Sequence, residues 1–279
     1  MASEFTLSII LCGKYRMAVI MKKKGTGVIS GVFAVLLLTA AILFFILQGK
    51  NAVEVVNFHA EMFEKKGTVI VDAGHGGEDG GAVGINGVNE KDINLAIALE
   101  LQRLLEQNQF EVIMIRDADY SVGDNSLGSV AERKRSDTLN RAETILSGGE
   151  CIVLSIHQNH FSQSKYYGAQ VFYSPNRDES TILAECIRSS IVSKTQPENT
   201  RELKEAGSNI YLMSHANVPS VLVECGFLSN PEETEKLCDP QYQQEMAAAI
   251  YDGLIQYLQE MEKVQPGNGE SSESEESLP

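Results

Sequence analysis

The hydrophobic pattern of the chain begins with one long uninterrupted apolar run. Residues 28–47 (VISGVFAVLLLTAAILFFIL) contain no charged side chain. As a helix rising about 1.5 Å per residue, the run would span about 30 Å, the thickness of a hydrocarbon core. Lys22, Lys23 and Lys24 precede it, and basic residues beside a span stay on the cytoplasmic side. The pattern therefore predicts a basic cytoplasmic leader (1–27) and a transmembrane anchor, with the remaining chain outside the cytoplasm.

A cleaved signal peptide is the alternative interpretation of this run. Such peptides have an apolar region of about 7–15 residues that ends in a cleavage site of small residues. The run here is longer, and the segment that follows it, QGKNAVEVV, offers no good site of that kind. An uncleaved anchor is the favoured interpretation. Met17 and Met21 are alternative start positions, because each would begin a more ordinary anchor.

After a polar connector (48–66), short β-type runs alternate with longer helical patterns. The β-type or extended runs are 67–74, 111–117, 151–157, 169–174, 209–213 and 220–227. The helical patterns are 89–107, 130–146, 179–194 and 241–263. In the first helical pattern Ile93, Ile97 and Leu101 recur at a spacing of four residues, and Asn89 is a plausible N-cap.

Alternation of strands and helices predicts a single α/β domain over residues 67–263, with helices on both faces of a central sheet. The segment 264–279 is acidic and nearly free of apolar residues, so it is predicted to be a disordered tail.

Charge and cysteine content narrow the class of protein. The 279 residues carry a net charge of −15; residues 1–50 contribute +5, from six Lys and Arg against one Glu, and the rest −20. An acidic body argues against a nucleic-acid partner, because phosphate contacts need a basic surface. The five Cys are irregularly spaced and form no CxxC pair, which argues against a disulfide framework or a cysteine zinc site.

Residues that bind metals or move protons follow three of the predicted strands. His75 follows the first, His157 ends the third, Glu224 lies in the last, and Glu90 opens the first helix. Loops at the carboxyl ends of strands form the sites of open α/β sheets. Two histidines and a carboxylate leave a tetrahedral zinc ion one open position, and a further carboxylate can serve as general base. Each residue singly also has a structural explanation, as a loop, helix-end or core residue.

Three segments resemble a known family: VDAGHGGEDGGAVG with the following NGVNEKDINLAIA, then IVLSIHQNH, then VPSVLVECGFLSNPEE. They are similar to the zinc-dependent N-acetylmuramoyl-L-alanine amidases of the amidase-3 type, in the same order, across about 67–258. The resemblance implies an α/β fold with a six-stranded sheet. It implies zinc held by His75, Glu90 and His157, with Glu224 as the catalytic carboxylate. The reaction implied is hydrolysis of the amide between N-acetylmuramic acid and L-alanine in peptidoglycan, whose glycan strands and stem peptides are the expected partners.

Finer features resemble the CwlD-type spore-cortex amidases. The features are the predicted N-terminal anchor with no cell-wall-binding repeats, the set Arg133, Lys134, Asp137 and Arg141, and the stretch 198–213. Such enzymes remove stem peptides so that a polysaccharide deacetylase can form muramic-δ-lactam during sporulation. This resemblance leaves room for an accessory sporulation lipoprotein that assists zinc binding. A vegetative cell-separation amidase is the alternative.

Three further residues are candidates for substrate or supporting contacts: Asn159, His160 and Arg141. His160 stands where many members of the family have a small residue. Arg141 and Arg116 are each candidates for a peptide carboxylate, although a solvated salt bridge is the commoner arrangement for such arginines.

Three other function classes stay open at this stage. A cysteine hydrolase would use Cys225, but neighbouring strand residues point to opposite faces, so Cys225 should be buried if Glu224 faces a site. A zinc peptidase would cut within the stem peptide rather than at the lactyl amide. A non-catalytic binding module would be expected to lack one of the four matched residues, and none is missing.

Overall fold

The computed structural model describes residues 5–11, 17–23 and 65–264. The predicted anchor, most of the connector and the acidic tail lie outside the described residues. Within the described part of the chain, no helix has the length and hydropathy that a membrane span requires. The chain divides into two compact units, 1–64 and 65–279. In the first, β1 (Phe5–Leu11) pairs with β2 (Met17–Lys23) as an antiparallel hairpin.

The second unit is an α/β domain. Its elements are, in order, β3 (Thr68–Ala73), α1 (Glu90–Gln107), β4 (Glu111–Met114), α2 (Val130–Ser147), β5 (Cys151–Asn159), β6 (Gln170–Tyr173), α3 (Glu179–Lys194), β7 (Lys204–Glu205), α4 (Tyr211–His215), β8 (Ser220–Phe227), α5 (Pro231–Leu237) and α6 (Pro240–Val264). The sheet has six strands in the order β4-β3-β5-β8-β6-β7. It is parallel except where β6 runs antiparallel to β8. The predicted α/β fold with a six-stranded sheet is confirmed.

Helices cover both faces of this sheet, as the sequence predicts. Successive strand side chains point to opposite faces, so Val69 and Val71 of β3 join one core while Ile70 joins the other. The first core holds the apolar stripes of α1, α3 and α6. The second is smaller and is built with α2 and α4. In α1 the predicted stripe of Ile93, Ile97 and Leu101 is buried.

Two local predictions are corrected by the structure. Residues 209–213 are not extended; α4 begins at Tyr211, and its Leu212 and Met213 pack into the second core. A short apolar run carries too little periodicity to separate a strand from a helix. The sixth strand is instead β7, only two exposed residues long, which pairs with β6. Asn89 does precede α1, but its side chain makes no capping hydrogen bond.

The topology brings the candidate residues to one edge. β3, β5 and β8 are mutually parallel neighbours, so their carboxyl ends meet at the same edge of the sheet. The loop from Gly74 to Asn89 leaves from this edge and leads into α1. The start of α1 lies at the same edge, because Asn94 Nδ2 donates a hydrogen bond to Gly74 O (3.1 Å) and Glu90 Oε1 accepts one from Gln158 N of β5 (3.1 Å). The edge therefore collects the ends of three strands and the start of one helix.

Candidate metal centre

Three side chains of different elements meet at this edge. His75, Glu90 and His157 offer ligand atoms that all lie within 4.8 Å of one another. His75 Nε2 lies 3.3 Å from Glu90 Oε2, and His157 Nδ1 lies 2.9 Å from Glu90 Oε1. The two imidazole rings stand edge to face with their centroids 5.0 Å apart. Two imidazoles and one carboxylate are a donor set suited to zinc, so the cluster fits a metal ion.

Glu90 is the central and most enclosed member of the cluster. Oε2 accepts a hydrogen bond from Ala82 N (2.8 Å) and Oε1 accepts one from Gln158 N (3.1 Å). Burial alone would raise the pKa of this carboxyl, but hydrogen bonds with His157 and His75 outweigh it and hold the pKa far below its ordinary value. Glu90 is therefore ionised and fixed in place, as a metal ligand must be.

His75 is held from its other ring nitrogen by Asp79. The Nδ1 proton is donated to Asp79 Oδ2 at 2.8 Å, and Lys134 Nζ binds the other oxygen of this carboxylate at 2.7 Å. A carboxylate on the far nitrogen fixes the tautomer and leaves the near nitrogen for a metal. That near nitrogen is Nε2, which faces Glu90. Asp79 was not among the residues predicted from the sequence, although its position four residues after His75 in the glycine-rich loop was a signal for it.

Zinc binding should release protons because of the state of His75 in the metal-free protein. Burial acts to lower the pKa of His75, but hydrogen bonds with Asp79 and Glu90 outweigh it and raise the pKa to about 9. An imidazole nitrogen coordinates a metal only when unprotonated, so at pH 7.5 zinc binding should release about one proton. Zinc affinity should rise from pH 6 to 9 and then level off. Calorimetry in two buffers of different ionisation enthalpy measures the protons released; none released would contradict the assignment of His75.

Gly74 makes room for His157. A Cβ atom at position 74 would lie 2.2 Å from both Cε1 and Nε2 of the His157 ring, far inside van der Waals contact. The ring belongs to a strand whose backbone is fixed by its neighbours, because β5 lies between β3 and β8. Any side chain at position 74 must therefore push the ring out of the cluster.

Gly74→Ala should weaken zinc affinity at least about 100-fold, because an intact ligand set and its immediate support fix this affinity. The matched control is Gly128→Ala. A Cβ there would meet only Glu132 Oε2 at 3.9 Å, so its zinc affinity should equal that of the parent. Competition with a chromogenic chelator measures both. Equal affinity in the two variants would show that His157 is not held as described.

Two buried arginines hold the backbone that leads into His75. Arg116 donates from Nε to Ala73 O (2.7 Å) and from Nη2 to Gly74 O (2.9 Å). Arg141 donates from Nη1 to Ala73 O (3.0 Å) and from Nη2 to His75 O (2.6 Å). His75 has a φ of 62°, a left-handed conformation that is uncommon for residues other than glycine. These carbonyl contacts therefore fix an otherwise unfavourable turn.

The expectation that these arginines form solvated salt bridges is wrong, because both side chains are buried. Arg116 is completely buried and Arg141 is 4% exposed. Arg141 forms ion pairs with Asp72, and with Asp137 through Nε and Oδ2 at 2.5 Å. Four donor contacts of Arg141 are to groups of the protein, two of them carbonyl groups of the loop that carries His75, so the guanidinium supports this loop. The sequence could not show this, since a polar helix such as α2 gives no sign of which arginine turns inward. Binding of a peptide carboxylate by Arg141, which also lines the adjoining cavity, stays a prediction.

Glu224 lies beside the cluster without being part of it. β8 pairs Glu224 in register with His157 of β5, so the two side chains are neighbours on one face. Its Oε2 is buried and has no hydrogen-bond partner among the described residues. Burial raises the pKa of Glu224 to about 7, while the charges of His157 and Glu90 act in opposite directions. A free carboxylate oxygen with a pKa near neutrality can accept and return a proton.

The site opens into a cavity of about 370 Å³. Gly74, His75, His157 and Glu224 line this cavity, together with residues of α2 and α4. The lining residues from these helices and the adjoining loop are Lys134, Asp137, Thr138, Arg141, Asn209, Ile210, Tyr211 and Leu212. The stretch around Asn209 therefore forms part of the cavity beside the cluster, a position that the sequence did not predict.

The remaining candidates, Asn159, His160 and Cys225, lie outside the three-residue cluster. Asn159 ends β5 and is half-buried, and His160 is exposed at the start of the next loop. The structure places neither of them in the three-residue cluster. Cys225 is completely buried in the first core, where burial raises the pKa of its thiol. It faces away from Glu224, so a cysteine nucleophile at this position has no support.

Comparison with known proteins gives one consistent answer. The family described as Amidase_3, N-acetylmuramoyl-L-alanine amidase, matches residues 69–256. A germination-specific N-acetylmuramoyl-L-alanine amidase of Bacillus subtilis (strain 168) is 35% identical over 192 residues, which cover 69% of this chain and 80% of that protein. The amidase LytC of the same organism is 30% identical over 192 residues, covering 68% of this chain but 35% of LytC.

Solved structures agree with this result. The CwlD amidase from Clostridioides difficile, in complex with the GerS lipoprotein, is 42% identical with a TM-score of 0.67; the match covers 69% of this chain and 98% of that one. The amidase AmiC2 of Nostoc punctiforme is 31% identical with a TM-score of 0.56, covering 69% of this chain and 97% of AmiC2.

Proposed function

The chain belongs to the Amidase_3 family of N-acetylmuramoyl-L-alanine amidases, and from this premise we propose that it cleaves the amide between N-acetylmuramic acid and L-alanine in peptidoglycan at a zinc ion held by His75, Glu90 and His157. The observation that carries the proposal is the buried, unpartnered Oε2 of Glu224 beside these three side chains. A carboxylate with no structural partner at this place has a chemical explanation and no structural one.

The metal and the protein contribute different parts of the chemistry. Zinc, when bound, supplies Lewis acidity, which polarises the amide carbonyl and acidifies water. His75, Glu90 and His157 would hold it, Asp79 orients the first of these imidazoles, and the carbonyl contacts of Arg141 keep the loop in place. The cavity above them is where the sugar and peptide on either side of the amide would lie.

Glu224 moves the proton. Its Oε2 takes a proton from the attacking water as the carbon–oxygen bond forms, and returns it to the alanine nitrogen as the carbon–nitrogen bond breaks. Since the pKa of Glu224 is about 7 in the metal-free protein, the carboxyl is suited to both transfers near neutral pH. The residue is regenerated in its ionised form at the end of the cycle.

The proposed biological role is maturation of the spore cortex. It is supported by the similarity to the germination-specific amidase and to the CwlD structure. In this role the stem peptide is removed so that a deacetylase can form muramic-δ-lactam. We also propose an accessory lipoprotein as partner, since the CwlD amidase is described in complex with the GerS lipoprotein. A vegetative cell-separation enzyme is the second candidate, favoured by the similarity to LytC.

The proposed cellular location rests on the sequence, because the predicted anchor lies outside the described residues. We propose that residues 28–47 anchor the chain in the membrane and that the amidase domain lies outside the cytoplasm, where peptidoglycan is. Protease added to intact protoplasts should degrade the domain and leave the anchor in the membrane. A soluble mature protein whose N-terminus lies after Gln48 would contradict the anchor.

Mass spectrometry of digested sacculi tests the reaction. The zinc-loaded full-length chain should release peptides with a free N-terminal alanine and leave intact muramic acid on the glycan strands. A peptidase acting within the stem would instead leave alanine attached to the sugar, and that result would overturn the proposed bond.

The content of muramic-δ-lactam in spores tests the proposed cortex role. Spores formed after disruption of the gene should lack muramic-δ-lactam; normal lactam content would favour the vegetative alternative.

A further inference from the structure

A loop rich in exposed aromatic side chains adjoins the catalytic edge. Residues 160–169 connect the end of β5 to the start of β6. Because β6 is antiparallel to β8, both ends of this loop lie at the edge that carries the metal cluster. Phe161 is 47% exposed, Tyr166 36% and Tyr167 49%. We call these three residues the aromatic ledge; a monomeric protein rarely groups exposed aromatic rings without a binding function.

Two of the three rings of the ledge, those of Phe161 and Tyr166, are held by contacts with neighbouring side chains. Phe161 and Tyr166 stand edge to face with centroids 5.0 Å apart. The guanidinium of Arg201 lies 4.5 Å from the ring centre of Phe227 and 6.0 Å from that of Tyr166. Lys165 Nζ lies 5.4 Å from the Tyr166 ring. Cations above the rings hold the aromatic faces in position.

The backbone of the loop is fixed by hydrogen bonds from both sides. Those bonds are Phe161 N to Ser229 Oγ (3.1 Å), Asn230 Nδ2 to Tyr166 O (3.3 Å), Arg201 Nε to Tyr167 O (2.7 Å) and Gly168 N to Glu233 Oε1 (2.9 Å). Glu233 also accepts from Phe227 N at 2.8 Å. A loop that exposes apolar rings while its backbone is fixed is a preorganised binding surface, since little ordering entropy remains to be lost.

We propose that the aromatic ledge binds the glycan strand of the substrate. The aromatic rings would stack on the pyranose rings that flank the muramic acid whose amide is hydrolysed. The inference rests on the proposed function. Gln170, the first residue of β6, pairs in register with Glu224, so the loop that carries the ledge enters the sheet beside the catalytic carboxylate. A polymeric substrate must extend past the reacting amide, and the rigid, flat C–H faces of its sugars match exposed aromatic faces.

Binding to purified sacculi tests the ledge without turnover. The full-length chain carrying Glu224→Gln is cosedimented with sacculi, alone and with Phe161→Ala plus Tyr167→Ala. Loss of two stacked rings should weaken binding about tenfold. The control is Leu146→Ala, also an exposed apolar residue (53%), near the end of α2 and away from the catalytic edge. Tyr167→Phe keeps the ring and should bind like the parent.

A second measurement distinguishes an effect on glycan binding at the ledge from an effect on the catalytic site. In the active chain, the double alanine variant should raise KM about tenfold on sacculi and leave hydrolysis of N-acetylmuramoyl-tripeptide, which lacks flanking sugars, unchanged. Unchanged binding and KM on sacculi would overturn the inference, and the ledge would then be a candidate surface for a protein partner. Equal loss on both substrates would overturn it as well. If the parent binds sacculi through the ledge but releases no peptide, the proposed function fails while the ledge stands.

Discussion

Glu224→Gln should lower the turnover of amide hydrolysis by about 10²–10⁴-fold, equivalent to about 3–5 kcal/mol of barrier, while zinc content stays at one ion per chain. The amide has the size of the carboxylate but cannot accept the proton. Because Glu224 Oε2 makes no hydrogen bond within the described protein, its replacement breaks no structural contact. The fold and the three-residue cluster should therefore survive.

Glu90→Gln is the matched comparison for this variant. Glu90 receives hydrogen bonds from the loop and from β5 and contacts both histidines. An amide is a poorer zinc ligand than a carboxylate, so zinc should be lost together with activity. Zinc by atomic absorption and turnover on a defined muropeptide are measured for both variants. If Glu224→Gln loses zinc as readily as Glu90→Gln, Glu224 is itself a ligand and the proton acceptor lies elsewhere, with His160 the next candidate.

Arg141→Met should lower the free energy of unfolding of the zinc-free protein by about 3–5 kcal/mol, the usual cost of leaving one partner of a buried ion pair alone. Asp72 is completely buried. Burial acts to raise the pKa of its carboxyl, but the charge of Arg141 and a hydrogen bond from Ser155 (2.6 Å) lower it below its ordinary value. Without Arg141 the carboxylate is a buried charge whose one remaining hydrogen bond within the described residues comes from the Ser155 hydroxyl.

Two control variants distinguish the loss of this buried ion pair from the loss of a charge at the surface. Arg188→Met removes an exposed pair with Glu185 and should change stability by at most about 0.5 kcal/mol. Asp72→Asn added to Arg141→Met removes the stranded charge and should recover part of the loss. Urea unfolding curves give all three values. A loss below about 1 kcal/mol for Arg141→Met would show that the pair contributes no more than a surface bridge.

The sequence was sufficient for the parts of the fold that rest on periodicity or on strand ends. The buried stripe of α1 and the convergence of His75, His157 and Glu224 follow from apolar spacing and from the rule that parallel strands end at one edge. Glu90 is placed by the same reasoning, because α1 starts directly after the loop that leaves this edge.

The features that could not be predicted from the sequence depend on contacts between residues far apart along the chain. α4 and the two-residue β7 have too few residues for a local pattern, and their packing against the second core and against β6 decides their conformation. The inward direction of Arg116 and Arg141 depends on carbonyl groups that only the folded turn presents. The aromatic ledge was not predicted, because nothing in the local sequence distinguishes exposed aromatic rings from buried ones.

Anomalous diffraction at the zinc absorption edge, from crystals of the zinc-loaded Glu224→Gln chain, tests the central claim most directly. We expect one peak, within bonding distance of His75 Nε2, Glu90 and His157, with the residue at position 224 close by but not bonded to the metal. A peak bonded to residue 224, or a metal bound outside these three side chains, would contradict the account.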